Sequence, residues 1–338
     1  MKIKSAYLEN PQAITAFIEA QMAQHHIPGA TAALLHNGEI IYTNAFGTRT
    51  PAGAPMTDHT LFEAASLTKT LFGTLAMRLV QEGKLDLDEP IMDKLQDTPW
   101  SNDPRFVGIT PRHCLSHGCG LPNWQKKPMD MLFDPGTQYS YSGEGYFLLQ
   151  RLIEQICGKD LNALLKEYFL EPLGMDISTA TWTPDVYAAF SAGFGKDGKV
   201  VKIRSARRVI GNAPEPNAAW SLYSNAFQMV KFQQYMIKHH GGLNDTFYRE
   251  MVQENNRPTD HLAWGLGWGL CDEEPNLRWH WGDNDGFKSL SAWDDTTGDA
   301  ICIFSNNDNG MEFWQDIAKE LTGGNVWDHI VDFIRIAE

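Results

Sequence analysis

Strand-like stretches gather at the two ends of this chain and are missing from its middle, and that distribution restricts the fold more than any other feature. Near the start, Ala30–Leu35 and Glu39–Phe46 flank Asn37-Gly38, a dipeptide suited to a two-residue hairpin turn. Near the end, residues 262–270, 277–281, 288–293 and 300–305 read as successive strands, the last pair joined by a turn at 294–298. From Leu85 to about Ile177 the spacing predicts helices and loops, with amphipathic helices over 145–156 and 161–169. Further helices are predicted over 11–26, 225–237, 311–321 and 327–336. A chain patterned this way is expected to be α+β: an antiparallel sheet built from both termini and flanked by helices, plus an all-helical subdomain. The expected organisation is a single unit over 1–338, with an α/β subdomain near 1–75 and 180–338 and a helical subdomain near 76–179.

Composition removes several function classes. With 338 residues, 43% of them hydrophobic and 21% charged, the chain can bury a large core. Its net charge of -14 repels phosphate backbones and anionic headgroups, so neither nucleic acid nor a membrane surface is an expected partner. No apolar run reaches the roughly 18 residues that a membrane span needs. Glu9, Asn10 and Pro11 interrupt the start where a signal peptide would be apolar, and the five cysteines form no regular framework. Both points lead us to expect a cytoplasmic protein with reduced thiols.

The first stretch with chemical content is Phe62–Phe72, which contains Ser66-x-x-Lys69 at the head of an apolar helical run. On a helix that starts at or just before Ser66, positions i and i+3 share a face with Cβ atoms about 5–6 Å apart, so the amine reaches the hydroxyl. A lysine acting as base near neutral pH must release its proton more readily than an ordinary amine, and burial and a helix N-terminus both push that way. The tetrad alone is expected by chance on the order of once in a chain of this length. Other stretches have to carry the reading.

Three do, and in a recognisable order: Thr110–Pro122 with Leu115-Ser116-His117-Gly118-Cys119-Gly120-Leu121-Pro122, then Phe133–Tyr146 with Tyr141-Ser142-Gly143, then Trp279-His280-Trp281-Gly282-Asp283. With the tetrad, these make the chain resemble the serine β-lactamase and penicillin-binding-protein superfamily, specifically its class C-like branch of esterases and D-peptidases. The resemblance implies a β-lactamase/transpeptidase-like fold, Ser66 as the acylated nucleophile, and Lys69 as its proton partner. It implies Tyr141 as general base or proton shuttle, a part a phenol can play only beside a positive charge. His280-Trp281-Gly282 falls on the family's Lys-Thr-Gly or His-x-Gly strand, and the amides of Ser66 and Asp283 would form the oxyanion hole. No metal and no organic cofactor are implied.

Two departures bear on substrate. Gly143 stands where the family has asparagine, removing an amide that binds the lysine and an acylamide substrate. His280 stands where β-lactamases and many peptidases have a lysine that holds the substrate's carboxylate, and a mostly neutral imidazole is a weaker anchor. Glu144 is a candidate replacement partner for Lys69. Trp220 and Trp281 are candidate pocket walls, whereas Trp124, Trp264, Trp268 and Trp279 read as packing. His113 and His117 stand at i, i+4 beside Cys114 and Cys119, but the glutamate of His-Glu-x-x-His is missing, and the segment reads as structural. Gly265, Gly267 and Gly269 lack dinucleotide-loop spacing and read as a strand with close backbone approach. The expected function is hydrolysis of a small-molecule ester through acyl-Ser66. The alternatives are a D-peptidase, amidase or β-lactamase acting on an amide, and a non-catalytic sensor that is acylated and released slowly.

Overall fold

The computed structural model describes residues 1–202 and 215–337. The principal sheet has seven strands: β1 (Gly29–His36), β2 (Glu39–Gly47), β3 (Leu262–Trp264), β4 (Gly269–Cys271), β5 (Leu277–Asn284), β6 (Phe287–Asp294) and β7 (Ala300–Ser305). The helices that matter here are α1 (Pro11–His25), α2 (Thr68–Gln81), α3 (Pro111–Leu115), α4 (Gly143–Cys157), α5 (Ala226–His239), α6 (Gly310–Thr322) and α7 (Val326–Ala337). Sheet order is β2-β1-β7-β6-β5-β4-β3, and each neighbouring pair is antiparallel. Sequence-distant β1 and β7 pair from Ala30–Ser305 to Leu35–Ala300, so the sheet is assembled from both ends of the chain. Asn37 and Gly38 take φ of 53° and 74°, the left-handed pair that a tight hairpin between right-twisted strands requires.

Side-chain alternation divides the interior into two layers. On β7, Cys302 and Phe304 face the layer holding α2 and α5, while Ile301 and Ile303 face the layer holding α1, α6 and α7. On β5, Leu277, Trp279 and Trp281 belong to that second layer. Nearly every residue of α2 is buried, as a helix enclosed on all sides requires. Among the described residues no helix is long and apolar enough to cross a membrane.

One expected strand is divided. Residues 262–270 form two three-residue strands, β3 and β4, around a turn closed by a Gly265 N–H to Trp268 carbonyl bond of 2.9 Å. Gly267 has φ of 99°, and its Cα would lie 3.2 Å from a Cβ placed on Gly73 of α2. The glycines therefore let a turn, not a strand, press against the helix that follows the nucleophile.

Candidate active site

Ser66 lies in a single 3-10 turn, Ala65–Leu67, that runs directly into α2. Ala65 has φ of 49°, a left-handed conformation that costs a residue with a Cβ about 1–3 kcal/mol unless its surroundings impose it. They do. Ala64 N–H donates to the Leu222 carbonyl at 2.8 Å, and the Thr68 hydroxyl donates to the Ala65 carbonyl at 2.7 Å while accepting from Leu222 N–H at 3.0 Å. The turn is thus tied to a separate loop on both sides of Ser66.

Lys69 Nζ lies 3.0 Å from Ser66 Oγ and donates to the Ala219 carbonyl at 2.8 Å. The lysine is 1% exposed, and its ammonium sits 4.7 Å from the centroid of the Tyr141 ring. Helical spacing brings the first pair together, as i, i+3 geometry demands. Tyr141 arrives from the segment ahead of α4, whose first turn is capped by Ser142 Oγ accepting from Gly145 N–H at 3.0 Å.

The third motif comes from β5. β4 pairs with β5 at Gly269–Trp279 alone, so the strand from His280 onward turns its edge to the Ser66 turn. Gly282 makes that approach possible: a Cβ there would stand 2.3 Å from the Ala64 carbonyl oxygen. The Asp283 carboxylate is held by Lys288 at 2.7 Å, on the neighbouring strand.

A cleft of about 540 Å³ opens over Ser66 and Lys69, and Tyr141, Trp220 and Asp283 also line it. Four other expected site residues, His280, Trp281, Gly143 and the Gly282 that packs on Ala64, are not part of its wall. His280 is fully buried behind Tyr141, with ring centroids 6.4 Å apart. Burial first, then the Lys69 charge, lowers its pKa to about 3, so the imidazole is neutral. Its Nδ1 lies 2.8 Å from the Trp281 carbonyl, which can only accept, so Nδ1 carries the proton. Trp281, expected as a pocket wall, is 1% exposed; its ring stacks 5.1 Å from that of His280 and lies 4.8 Å from Tyr141 and 5.8 Å from Phe333 of α7. It backs the tyrosine. Gly143 is covered by Trp124, whose ring atoms would stand 2.5 Å from a Cβ at that position.

Trp124 is the main correction among the aromatic residues. Expected as packing, it is 51% exposed and forms a wall of the cleft. Asn123, Lys202, Asn284 and Asp285 line the cleft too. Asn123 Oδ1 accepts from Gly143 N–H at 2.9 Å, fixing the Trp124 loop over the start of α4. Buried Glu63 gathers the opposite rim, accepting from Lys202 Nζ and from Asn284 Nδ2, each at 2.7 Å. The run Gly120-Leu121-Pro122-Asn123-Trp124, continuous with the Thr110–Pro122 motif, was the available signal for the loop. Glu144, the expected partner of Lys69, instead accepts from Gln125 N–H at 3.4 Å. Burial raises its pKa, and the opposing cation is Lys127.

The other candidate clusters take different roles. His113 Nδ1 accepts from Thr110 N–H at 3.2 Å and caps its own helix, α3. A cleft of about 610 Å³ near Lys84 and Arg112 is lined by no serine, cysteine or histidine, and its Arg112 is paired with Asp88 at 2.7 Å. Among the described residues, His261, Glu273 and His329 lie close enough to share an ion, but the imidazoles are stacked at 4.1 Å with 13° between planes. Rings stacked so nearly parallel share no in-plane point within coordination distance, and the ring plane is where nitrogen lone pairs direct a metal.

Comparison with known proteins identifies the family and the fold. The Beta-lactamase family model matches residues 14–321. Penicillin-binding protein 4 of Amycolatopsis lactamdurans is 23% identical over 90% of this chain and 87% of its own length. Esterase EstB of Burkholderia gladioli is 27% identical over 52% of this chain, and the match spans 53% of that protein. Among solved structures, the D-alanine carboxypeptidase AmpC from Burkholderia cenocepacia superposes with a TM-score of 0.74 at 20% identity, covering 94% of this chain and all of that one. Such a likeness carries the fold, a β-lactamase/transpeptidase-like α+β architecture with a large antiparallel sheet flanked by helices. With the family model spanning nearly the whole length, this chain belongs to the Beta-lactamase family of serine hydrolases.

Proposed function

We propose that the protein hydrolyses carboxylic esters through an acyl-Ser66 intermediate. The observation that carries this reading is Lys69 Nζ at 3.0 Å from Ser66 Oγ on the floor of an open cleft, with the Tyr141 ring against the same amine. Ser66 Oγ adds to the ester carbonyl carbon while its proton passes to the Lys69–Tyr141 pair. The carbonyl oxygen becomes an anion, held by the backbone N–H groups of Ser66 and Asp283, where losing one donor costs about 3–4 kcal/mol. Collapse expels the alcohol, which takes up the proton. Water then attacks the acyl carbon by the same route, releasing the carboxylic acid and restoring the serine hydroxyl.

Esters are favoured over amides and β-lactams by what surrounds Ser66. Gly143 offers no amide to an acylamide group, and Trp124 occupies the space where one would project. Neutral, buried His280 cannot anchor a carboxylate as a lysine does. The relative named an esterase supports the same choice, while relatives named for penicillin binding and D-alanine carboxypeptidase keep amide substrates in the test.

The experiment is turnover of p-nitrophenyl butyrate against a chromogenic cephalosporin. Ester turnover with an inert cephalosporin is expected. The reverse pattern would assign a β-lactamase, and a single stoichiometric burst without turnover would assign a slowly released sensor.

A further inference from the structure

Tyr141 has to be held at one distance from Lys69, yet it sits in an irregular segment ahead of α4. Its two chain neighbours are held by the same residue. Ser140 N–H donates to the His117 carbonyl at 2.9 Å, and Ser142 N–H donates to His117 Nδ1 at 3.0 Å. Between those two bonds the imidazole lies against the Tyr141 ring, centroids 4.3 Å apart and planes 39° apart. From these contacts we infer that His117 is the positioning residue for Tyr141, gripping the backbone on both sides of the phenol and fixing the ring against Lys69. This rests on the proposed proton-transfer role of Tyr141.

Three further features fit a residue selected for this grip. His117 adopts φ of 56°, a left-handed conformation that histidine takes more readily than most residues with a Cβ, and from it both carbonyl and side chain address the 140–142 segment. Accepting at Nδ1 places the proton on Nε2, and that buried N–H has no hydrogen-bond partner among the described residues. An unmet buried donor is costly, so the Nδ1 contact is kept at the expense of Nε2. Finally, an imidazolium could not accept from Ser142. Burial, then the positive charge of Lys69, lowers the His117 pKa well below its ordinary value and keeps Nδ1 free to accept.

The test is a kinetic double-mutant cycle, with kcat, KM and thermal unfolding measured for His117→Ala and His117→Asn in both the wild-type and Tyr141→Phe backgrounds. Asparagine keeps an acceptor where Nδ1 stands and tolerates the left-handed backbone. His117→Ala is expected to lower kcat on p-nitrophenyl butyrate about 30–100-fold with KM changed less than about threefold, while His117→Asn returns to within about fivefold of wild type. With Tyr141→Phe already present, His117→Ala should cost less than about threefold more, because the group it positions is gone. An equal loss in both backgrounds, or an asparagine variant no better than alanine at equal thermal stability, overturns the inference. If Tyr141→Phe alone is as active as wild type, the role of Tyr141 has failed, and this one with it.

Discussion

Replacing Gly282 with alanine tests whether strand β5 and the Ser66 turn have to touch for the reaction to proceed. A Cβ at Gly282 would stand 2.3 Å from the Ala64 carbonyl oxygen and 2.3 Å from Ser289 Oγ, where ordinary contact begins at 3.4 Å. The deficit is about 1 Å of separation that something has to provide. Ser289 Oγ can rotate away, but the Ala64 carbonyl belongs to backbone anchored by its 2.8 Å bond to Leu222, so β5 has to retreat from the turn. The proposed oxyanion donors, the N–H groups of Ser66 and Asp283, would then be moved apart. Displacing reacting groups by about 1 Å costs on the order of 10²-fold, and losing one oxyanion donor costs about 10²–10³-fold in kcat. We expect Gly282→Ala to lower kcat on p-nitrophenyl butyrate by about 10²–10³, with KM changed less than about threefold and stability reduced by about 1–3 kcal/mol. Gly269→Ala is the control. Its Cβ would stand 2.3 Å from the Trp279 ring, in the same sheet but outside the cleft lining, so it should lose comparable stability and keep kcat. A Gly282→Ala enzyme with kcat within about fivefold of wild type would refute the reasoning, because the proposed oxyanion hole would then tolerate the gap.

Ser66→Ala should reduce ester hydrolysis to background and abolish the mass adduct of a serine-directed phosphonate while leaving the fold intact; an adduct mapped elsewhere would move the nucleophile. Gly143→Asn alone should lower ester turnover by roughly 10-fold, since its side chain collides with the Trp124 ring, and adding Trp124→Ala should restore it; equal activity of all forms would show that the indole does not pack on residue 143 in solution. Acid should weaken the fold before most carboxylates titrate. His280 titrates near 3 in the folded protein against an ordinary 6.5, so below about pH 6.5 the unfolded chain binds a proton that the folded chain refuses. That contribution to stability is complete above pH 6.5 and is lost as pH falls toward 3, at up to about 1.4 kcal/mol per pH unit. His117 shifts in the same direction. Urea unfolding at pH 7 and pH 5 should show the loss, and a His280→Gln variant should show less of it; identical midpoints at both pH values would contradict neutral burial.

Much of the fold and the centre of the site could be read from the sequence because they depend on short-range periods. The Asn37-Gly38 hairpin and the i, i+3 pairing of Ser66 with Lys69 are local geometry, and local geometry is what sequence spacing encodes. The burial of His280 and Trp281, both expected to meet the substrate, was not legible in that way. The two rings stack 5.1 Å apart and both pack against Tyr141 and Trp264, so they are buried by tertiary contacts from other parts of the chain. The turn at 265–268 was less accessible, because its reason is the tertiary approach of Gly267 to Gly73, which no window of the chain displays. Asn123, Lys202 and Asn284 belong with it. Each is an ordinary loop or strand residue until Glu63 and Gly143 bring it to the rim.

The departures from the family's pattern become one structural fact once Trp124 is placed. An asparagine side chain at 143 and the indole as it lies cannot share the same volume, since even a Cβ there would stand 2.5 Å from ring carbons. Glycine at 143 is therefore what lets the Trp124 ring lie where it does, and on the proposed ester reading it leaves an apolar wall where an amide side chain would stand. His280 acts in the same sense from behind. With no charge at neutral pH and no exposure to the cleft, it offers a carboxylate neither attraction nor contact. The two changes come from segments more than a hundred positions apart, and each removes a contact made by an anionic acylamide while leaving Ser66, Lys69 and Tyr141 in register. On the proposed reading such a site acylates Ser66 with few contacts that would select a peptide-like substrate, so the proposal rests more on the pairing of Trp124 with Gly143 than on either residue alone.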